Sequence, residues 1–309
     1  MTPKLRSLGS LPVDWKTTVN AGLQRATGYE LRKIRPQKQG GKGRRKMARA
    51  RAKGDRLVKA PTFILCTLRS GSTLLRVLMN SHSQVHAPHE LHLRYVDVKV
   101  TNKWGVTAMN ELGLDERGLE YLLWDRILDR ELTASGKRYL VNKTPNDVFI
   151  ADRIKECWPD SRFIFLLRHP AAIAQSRKNL RPNADDEQNV EMILRYGEAL
   201  ERARRTYPGH TVRYEDLTAD PAAATKEICA FLGIPWEPEM LEYGRHDHGR
   251  FRAGLGDWAD KIKTGEVQEA PPPPAPEDIP PALRELSVAW GYLGAERAAA
   301  LEAQPAGGA

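Results

Sequence analysis

The chain has 309 residues, enough for one large or two modest domains, and its 41% hydrophobic content is typical of a water-soluble fold. No apolar run approaches the roughly 18 residues of a membrane span, and the N-terminus lacks the apolar core of a signal peptide. We therefore predict a cytoplasmic protein with no transmembrane segment. Three widely separated cysteines, Cys66, Cys157 and Cys229, lie in apolar segments and predict core thiols with neither disulfide nor zinc spacing.

The net charge of +9 is concentrated in one segment. Residues 31–60 hold 13 Lys/Arg and one acid, a net +12, so the rest of the chain sums to −3. We interpret residues 1–60 as an N-terminal segment in which 35–60 form a flexible basic linker, because almost nothing there is apolar. The linker could make weak contact with an anionic surface, whereas the near-neutral body argues against nucleic-acid binding by the folded part.

The stretch 61–82 predicts a strand, a tight loop and a helix. Residues 63–66 are an apolar run typical of a buried parallel strand, and Leu74, Leu75, Leu78 and Met79 share one helical face. The loop between them reads Arg69-Ser70-Gly71-Ser72-Thr73, with Ser72 or Thr73 as the expected helix cap. Such a loop offers free N–H groups to an anion, and Arg69 adds a positive charge. Unlike a Walker A loop, this loop contains no lysine, and Leu74 follows its hydroxyl pair. The pattern therefore favours binding of a phosphate or sulfate ester without the lysine that contacts a nucleoside triphosphate.

Four histidines near Glu90 raise the question of a metal site. They are His82, His86, His89 and His92. Their spacing matches no zinc ligand set and no cysteine joins them, so we predict no metal.

Strands and helices alternate along the rest of the chain. Strands are predicted at 139–141, 162–167 and 211–214, and helices at 116–133, 146–157, 186–207 and 221–232. A further helix after Pro170 carries Ile173 and Ser176. This alternation predicts an α/β protein with a mainly parallel sheet covered by helices on both faces. Arg69, Lys143 and Arg168 each follow a predicted strand, and ligands of such sheets bind at the carboxyl ends of the strands.

The C-terminal quarter carries fewer signals. Residues 244–269 predict a long ordered loop, and 271–281 read PPPPAPEDIPP, a polyproline spacer. We expect a short final helix at 283–293 and a frayed tail at 295–309.

Taken together, these segments resemble the sulfotransferase family over residues 61–294. Four stretches carry the resemblance: the loop at 68–75, Asn142-Lys143-Thr144-Pro145, Arg168 eight residues before Ser176, and 213–217 followed by 231–233. Lys143-Thr144 is followed by Pro145, where the cytosolic small-molecule type has the histidine of a Lys-Thr-His segment. The resemblance therefore points to the bacterial, carbohydrate and tyrosylprotein branch.

The resemblance implies a P-loop-like fold and a donor, 3′-phosphoadenosine 5′-phosphosulfate (PAPS), with no metal requirement. The acceptor would be a hydroxyl of a small molecule or carbohydrate. Donor-binding residues implied in this way are Arg69, Ser70, Gly71, Ser72 and Thr73 at the 5′ end, Arg168 and Ser176 at the 3′-phosphate, Tyr214 near the adenosine, and Lys261 as a further phosphate ligand.

The resemblance also implies catalytic roles. Arg69 and Lys143 would stabilise the bridging oxygen, and Glu90, 21 residues after Arg69, would be the base. His89 and His92 compete for the role of base. A salt bridge from Glu90 to Arg94 is the non-catalytic alternative.

Two other functions remain open from the residues alone. A P-loop-type kinase would need a Walker lysine and an acid at a strand end, and the strand at 162–167 runs into Arg168 instead. A nucleic-acid-binding protein would need basic charge on the folded body.

Overall fold

The computed structural model describes residues 56–249, 251 and 260–303. The chain divides into two compact units, 1–45 and 46–309, and all described residues belong to the second. Residues 1–55, which include most of the predicted N-terminal segment and of its basic linker, lie outside the described residues.

The end of the predicted linker is part of the folded body, which corrects the expectation of a free tether up to residue 60. The Asp125 carboxylate accepts hydrogen bonds from the backbone N–H groups of Leu57 and Val58, at 2.7 and 3.2 Å. The Arg56 guanidinium donates to the Cys157 carbonyl at 2.8 Å, and Val58 is buried. Local composition missed this docking because its partners lie far along the chain.

Five parallel strands form one sheet. They are β1 (Thr62–Cys66), β2 (Val85–His86), β3 (Tyr139–Lys143), β4 (Arg162–Leu167) and β5 (Gly209–Arg213). Their spatial order is β2-β3-β1-β4-β5, with β1 between β3 and β4. Every pairing is parallel, so all five carboxyl ends meet at one edge.

Eleven α-helices are described. They are α1 (Ser72–Ser81), α2 (Lys103–Glu111), α3 (Glu116–Ser135), α4 (Ala151–Cys157), α5 (Pro170–Leu180), α6 (Asp186–Thr206), α7 (Tyr214–Ala219), α8 (Pro221–Leu232), α9 (Asp260–Lys263), α10 (Arg284–Ala289) and α11 (Ala295–Glu302). Short 3₁₀ helices cover Leu93–Tyr95, Pro145–Ile150, Pro238–Leu241, Tyr243–Arg245, Pro276–Asp278 and Pro281–Leu283. Among the described helices, none is long and apolar enough to cross a membrane.

Two apolar cores lie on opposite faces of the sheet. Successive side chains of a strand point to opposite faces. Accordingly Phe63 and Leu65 of β1 join a core with helices α3, α4 and α6, whereas Ile64 and Cys66 join a second core with α1 and α8. All three cysteines are buried and free. The predicted α/β architecture with a parallel sheet is therefore confirmed.

Two local expectations at the strand ends were wrong. The cap of α1 is Gly71 in the left-handed conformation, with no side-chain cap from Ser72 or Thr73. Residues 145–150 form a 3₁₀ helix before α4 begins, so Asn146 does not cap a continuous helix. The Thr144 carbonyl accepts from the Asp147 N–H at 2.9 Å, an i→i+3 bond that tightens the turn.

The C-terminal segment is more ordered than expected. The prediction of a frayed tail is wrong for Ala295–Glu302, which forms α11 and buries Ala298 and Leu301. An alanine-rich sequence favours a helix here, and burial of its apolar side chains stabilises it. The predicted polyproline spacer contains one 3₁₀ turn, Pro276–Asp278, buries Ile279, and leads into a second turn at Pro281–Leu283.

Candidate active site

The β1–α1 loop bends through two residues with left-handed backbone. Arg69 has φ 64° and Gly71 has φ 83°. Arg69 and His92 are the two non-glycine residues with positive φ in the described part of the chain, and both lie at this site. The Ser70 hydroxyl is buried and donates to the Thr67 carbonyl at 2.8 Å. The first N–H groups of a helix have no intrahelical partner, so the start of α1 presents donors to the loop.

Arg168 and Ser176 connect to this loop from β4 and α5. The Arg168 guanidinium donates to the Arg69 carbonyl at 2.7 Å, and Arg69 Nε donates to the Ser176 hydroxyl at 3.3 Å. Burial lowers the pKa of Arg168, although a guanidinium remains cationic at neutral pH. Arg168 Nε is buried and makes no hydrogen bond to any described residue.

Tyr214, at the start of α7, covers the same place. The Arg168 guanidinium carbon lies 4.4 Å from the centre of its ring. A Cβ atom on Gly71 would lie 2.1 Å from Tyr214 Cδ2, so the ring packs directly on the glycine. The structure thus brings together the sequence-predicted residues at 69–73, 168, 176 and 214.

Lys143 and Glu90 form a buried ion pair at the same sheet edge. Lys143, the last residue of β3, is fully buried, and its Nζ lies 2.5 Å from Glu90 Oε1. The Glu90 side chain is only 12% exposed. Lys143 Nζ also donates to the Thr73 hydroxyl at 3.4 Å, which joins the pair to the loop. Burial raises the pKa of the neighbouring Cys66 thiol to about 11, so this cysteine stays neutral.

The structure distinguishes the side chains that were considered as partners of Glu90 or as competing bases. The expected ion pair of Glu90 with Arg94 does not form, because the Arg94 guanidinium stacks 4.4 Å from the ring centre of Phe149. His92 Nε2 lies 3.6 Å from Glu90 Oε2. His89 is exposed, and its ring Nδ1 lies 3.0 Å from the Glu90 carbonyl oxygen.

The other histidines have separate partners. His82 Nε2 lies 2.8 Å from the Pro235 carbonyl, and His86 Nε2 lies 3.6 Å from Glu131. Among residues 56–249, 251 and 260–303, no group of three His, Cys, Asp or Glu side chains could hold a metal ion. Lys261 belongs to α9, but its side chain lies outside the described residues.

Sequence reasoning missed a buried acid next to this pair. Asp147 has no solvent exposure, and its Oδ2 accepts from the Asn142 amide at 2.7 Å. The available signal was an acid two residues after the Lys-x-Pro segment, in a turn that starts at the end of a buried strand. No pattern in the sequence indicated that the acid points inward.

Contacts from the C-terminal segment to the backbone beside this site were also not predicted from the sequence. Glu215 accepts from the His169 N–H at 3.1 Å and from the Tyr292 hydroxyl at 2.6 Å. Arg213 donates to the Trp290 carbonyl at 2.8 Å. The segment after α10 therefore fixes the backbone next to Arg168.

The fold and this edge define the class of protein. A parallel sheet whose central strand feeds an anion-binding loop and a helix N-terminus is a P-loop-like arrangement. Two further cations, Lys143 and Arg168, approach the loop from the strands on either side of β1. The edge is suited to a ligand with two anionic groups.

Comparison with known proteins gives the family. A family model described as the sulfotransferase family matches residues 61–238, more than half of the chain. The chain belongs to the sulfotransferase family, which confirms the resemblance seen in the sequence.

Curated relatives and a solved structure agree. Protein-tyrosine sulfotransferase 2 of Gallus gallus is 27% identical over 203 residues, covering 59% of this chain and 53% of the relative. Nodulation protein NoeE of Sinorhizobium fredii is 34% identical over 128 residues, 38% of this chain and 30% of that protein. The chain thus spans about half the length, or less, of these relatives. The sulfotransferase domain from the curacin biosynthetic pathway shares the fold, with a TM-score of 0.57 at 22% identity over 76% of this chain and 99% of that domain.

Gly71→Ala is expected to disrupt the loop. An alanine at φ 83° is strained, and its Cβ would overlap the Tyr214 ring. We expect a loss of more than about 2 kcal/mol in the free energy of unfolding, measured by denaturant titration. Gly113→Ala is the matched control, because Gly113 has φ 76° but nothing within 4 Å of its Cβ position. An equal loss in both variants would mean that strain alone acts and that the Tyr214 contact contributes nothing.

Proposed function

We propose that the protein transfers a sulfuryl group from PAPS to a hydroxyl of a small-molecule or carbohydrate acceptor. The proposal rests on one observation: two cationic side chains, Arg168 and Lys143, each donate a hydrogen bond to the same loop. Arg168 contacts the loop backbone at Arg69, and Lys143 contacts it at Thr73. A donor with a 3′-phosphate and a 5′-phosphosulfate has two anionic groups that match this arrangement.

The residues fit the 3′-phosphate on one side. Arg168 has a buried Nε without a hydrogen-bond partner and donates to the Arg69 carbonyl, and the Arg69 guanidinium in turn donates to the Ser176 hydroxyl. A planar guanidinium can bind phosphate through two parallel hydrogen bonds, which an ammonium cannot. ATP has no 3′-phosphate, so this group would distinguish the two nucleotides.

The residues fit sulfuryl transfer on the other side. In the transfer, the bond from sulfur to the 5′-phosphate oxygen breaks and a bond from sulfur to the acceptor oxygen forms. Lys143 supplies a fixed positive charge where the leaving oxygen becomes negative. Glu90 is placed to take the proton of the acceptor hydroxyl. The ion pair between Lys143 and Glu90, at 2.5 Å, places the ammonium and the carboxylate side by side next to this loop.

The donor is tested by thermal unfolding with 3′,5′-adenosine bisphosphate, the desulfated product, beside ATP with magnesium. A ligand at about 100 times its dissociation constant stabilises the folded state by about 2.7 kcal/mol, a rise of several degrees in Tm. We expect the bisphosphate to raise the Tm and ATP to have little effect. Arg168→Ala should abolish the response to the bisphosphate.

The outcomes separate the candidate functions. A response to ATP with magnesium alone would favour a P-loop-type kinase and contradict the sulfotransferase proposal. No response to either nucleotide would also contradict it.

A further inference from the structure

Asp147 is a fully buried acid that the proposed transfer does not use. It lies in the 3₁₀ turn after β3, four residues beyond Lys143. Its Oδ2 accepts a hydrogen bond from the Asn142 amide at 2.7 Å. Its Oδ1 is buried without a hydrogen-bond partner, and the same is true of Asn142 Oδ1. Two buried oxygens of this hydrogen-bonded side-chain pair therefore both lack a donor.

No cation neutralises this carboxyl. Lys143 pairs with Glu90, and Asp147 forms no ion pair among the described residues. The other elements packed on the turn also offer none. Arg94 and Arg195 both stack on Phe149. In α4, Asp152 accepts from the hydroxyl of Tyr207. A lone buried carboxylate is costly, and a protein avoids that cost by keeping the group protonated.

We propose that Asp147 carries a proton at neutral pH and acts as a neutral positioning residue, which leaves the positive charge of Lys143 to the donor. A proton on Oδ1 converts an unsatisfied acceptor into a donor. Asn142 Oδ1 is the acceptor in the same hydrogen-bonded side-chain pair that still lacks a donor, so a proton on Asp147 supplies the donor that this pair is missing. The neutral pair then fixes the end of β3, from which Lys143 projects.

The electrostatics of the site support the same assignment. Burial, followed by the charge of Glu90, raises the pKa of Asp147 to about 8, against the lowering effects of Lys143 and the Asn142 hydrogen bond. The pKa in the folded state lies above the ordinary value of 3.8, so the folded state binds more protons between these two values. The contribution of Asp147 to stability consequently falls as the pH rises through this window.

The role of Asp147 toward the donor rests on the proposed function. When Asp147 is neutral, the negative charge of Glu90 cancels the positive charge of Lys143. Transfer of the acceptor's proton to Glu90 would then leave the positive charge of Lys143 uncompensated. An ionised Asp147 would offset that charge. The donor would then be attracted less strongly above the pKa of Asp147.

Asp147→Asn tests the proton directly. Asparagine keeps the shape and can both donate to and accept from Asn142, so the variant is expected to fold. Asp152→Asn, on the exposed side of α4, is the matched control. In infrared difference spectra against Asp147→Asn at neutral pH, the wild-type protein should show the carbonyl band of a protonated carboxyl. That band should disappear as the pH rises through about 8. Asp152→Asn should keep the band.

Thermal unfolding provides a second readout. Asp147→Asn should raise the Tm by several degrees at mildly alkaline pH and flatten the fall in Tm from acidic to alkaline pH. A variant less stable than the wild type at alkaline pH, or absence of the carboxyl band at neutral pH, would overturn the assignment.

The link to the donor is tested by bisphosphate affinity, measured by calorimetry from pH 7 to pH 9. Between pH 7 and pH 9 we expect the wild-type affinity to fall by roughly fivefold more than that of Asp147→Asn. The reason is that ionised Asp147 places a negative charge several ångströms from the donor, in a region of intermediate dielectric. Parallel pH profiles in the two proteins would overturn the positioning role. Failure of all variants to bind the bisphosphate would contradict the proposed function, and the infrared and unfolding results would still decide whether Asp147 is protonated.

Discussion

Replacement of Lys143 by alanine is expected to lower sulfuryl turnover by about 10²–10³-fold, the usual cost of removing one preorganised group that stabilises charge in a transition state. Lys143 has no solvent exposure and contacts both Glu90 and Thr73, so its ammonium is held in one place beside the loop. Arg69→Ala should also lower turnover far more than acceptor binding, because Arg69 connects the loop to Ser176. Release of bisphosphate from PAPS, followed with each candidate acceptor and with water alone, measures the step.

The control must separate chemistry from folding. Removing Lys143 leaves Glu90 with little exposure and no cation, which destabilises the protein. The double variant Lys143→Ala/Glu90→Gln removes both charges, and we expect it to regain most of the stability but none of the turnover. Lys178→Ala, which removes a surface ion pair with Asp186 at 2.7 Å, should leave both unchanged. Near-wild-type turnover in Lys143→Ala and Arg69→Ala would contradict the catalytic roles assigned to these two residues.

The sheet and its functional edge could be predicted because their signals are local. The apolar run of β4 has the predicted bounds, Arg162–Leu167, since a strand buried on both faces is almost wholly apolar. The geometry of parallel sheets then places the residues after β1, β3 and β4 together. Arg69, Lys143 and Arg168 do meet there, linked through the loop.

The partners of the polar groups could not be predicted, because tertiary packing selects them. The hydrogen bond between Tyr292 and Glu215 spans 77 residues. Arg94 was a plausible partner for Glu90 because it is close in sequence. In the structure Arg94 stacks on Phe149 instead, and Lys143 forms the ion pair with Glu90. The buried position of Asp147 depends in the same way on a turn that propensity assigned to a continuous helix. Local sequence carries no information on these choices.

The identity of the base is the second large effect. Glu90→Gln should lower turnover by about 10²–10⁴-fold, the range expected for loss of a general base. The glutamine retains an oxygen that can accept from Lys143, so the loop should keep its geometry and the variant should still bind the bisphosphate. A variant with low turnover and intact bisphosphate binding would place the defect in proton removal from the acceptor.

His89 and His92 decide between the alternatives. His89 is exposed and its ring meets the Glu90 carbonyl, so His89→Ala should retain most of the turnover. His92 Nε2 lies 3.6 Å from the Glu90 carboxylate, so His92→Ala should reduce turnover less than Glu90→Gln does. If His89→Ala abolishes turnover while Glu90→Gln does not, the base is the histidine. Glu90 would then be a structural partner that holds the Lys143 ammonium near the Thr73 hydroxyl until the donor arrives.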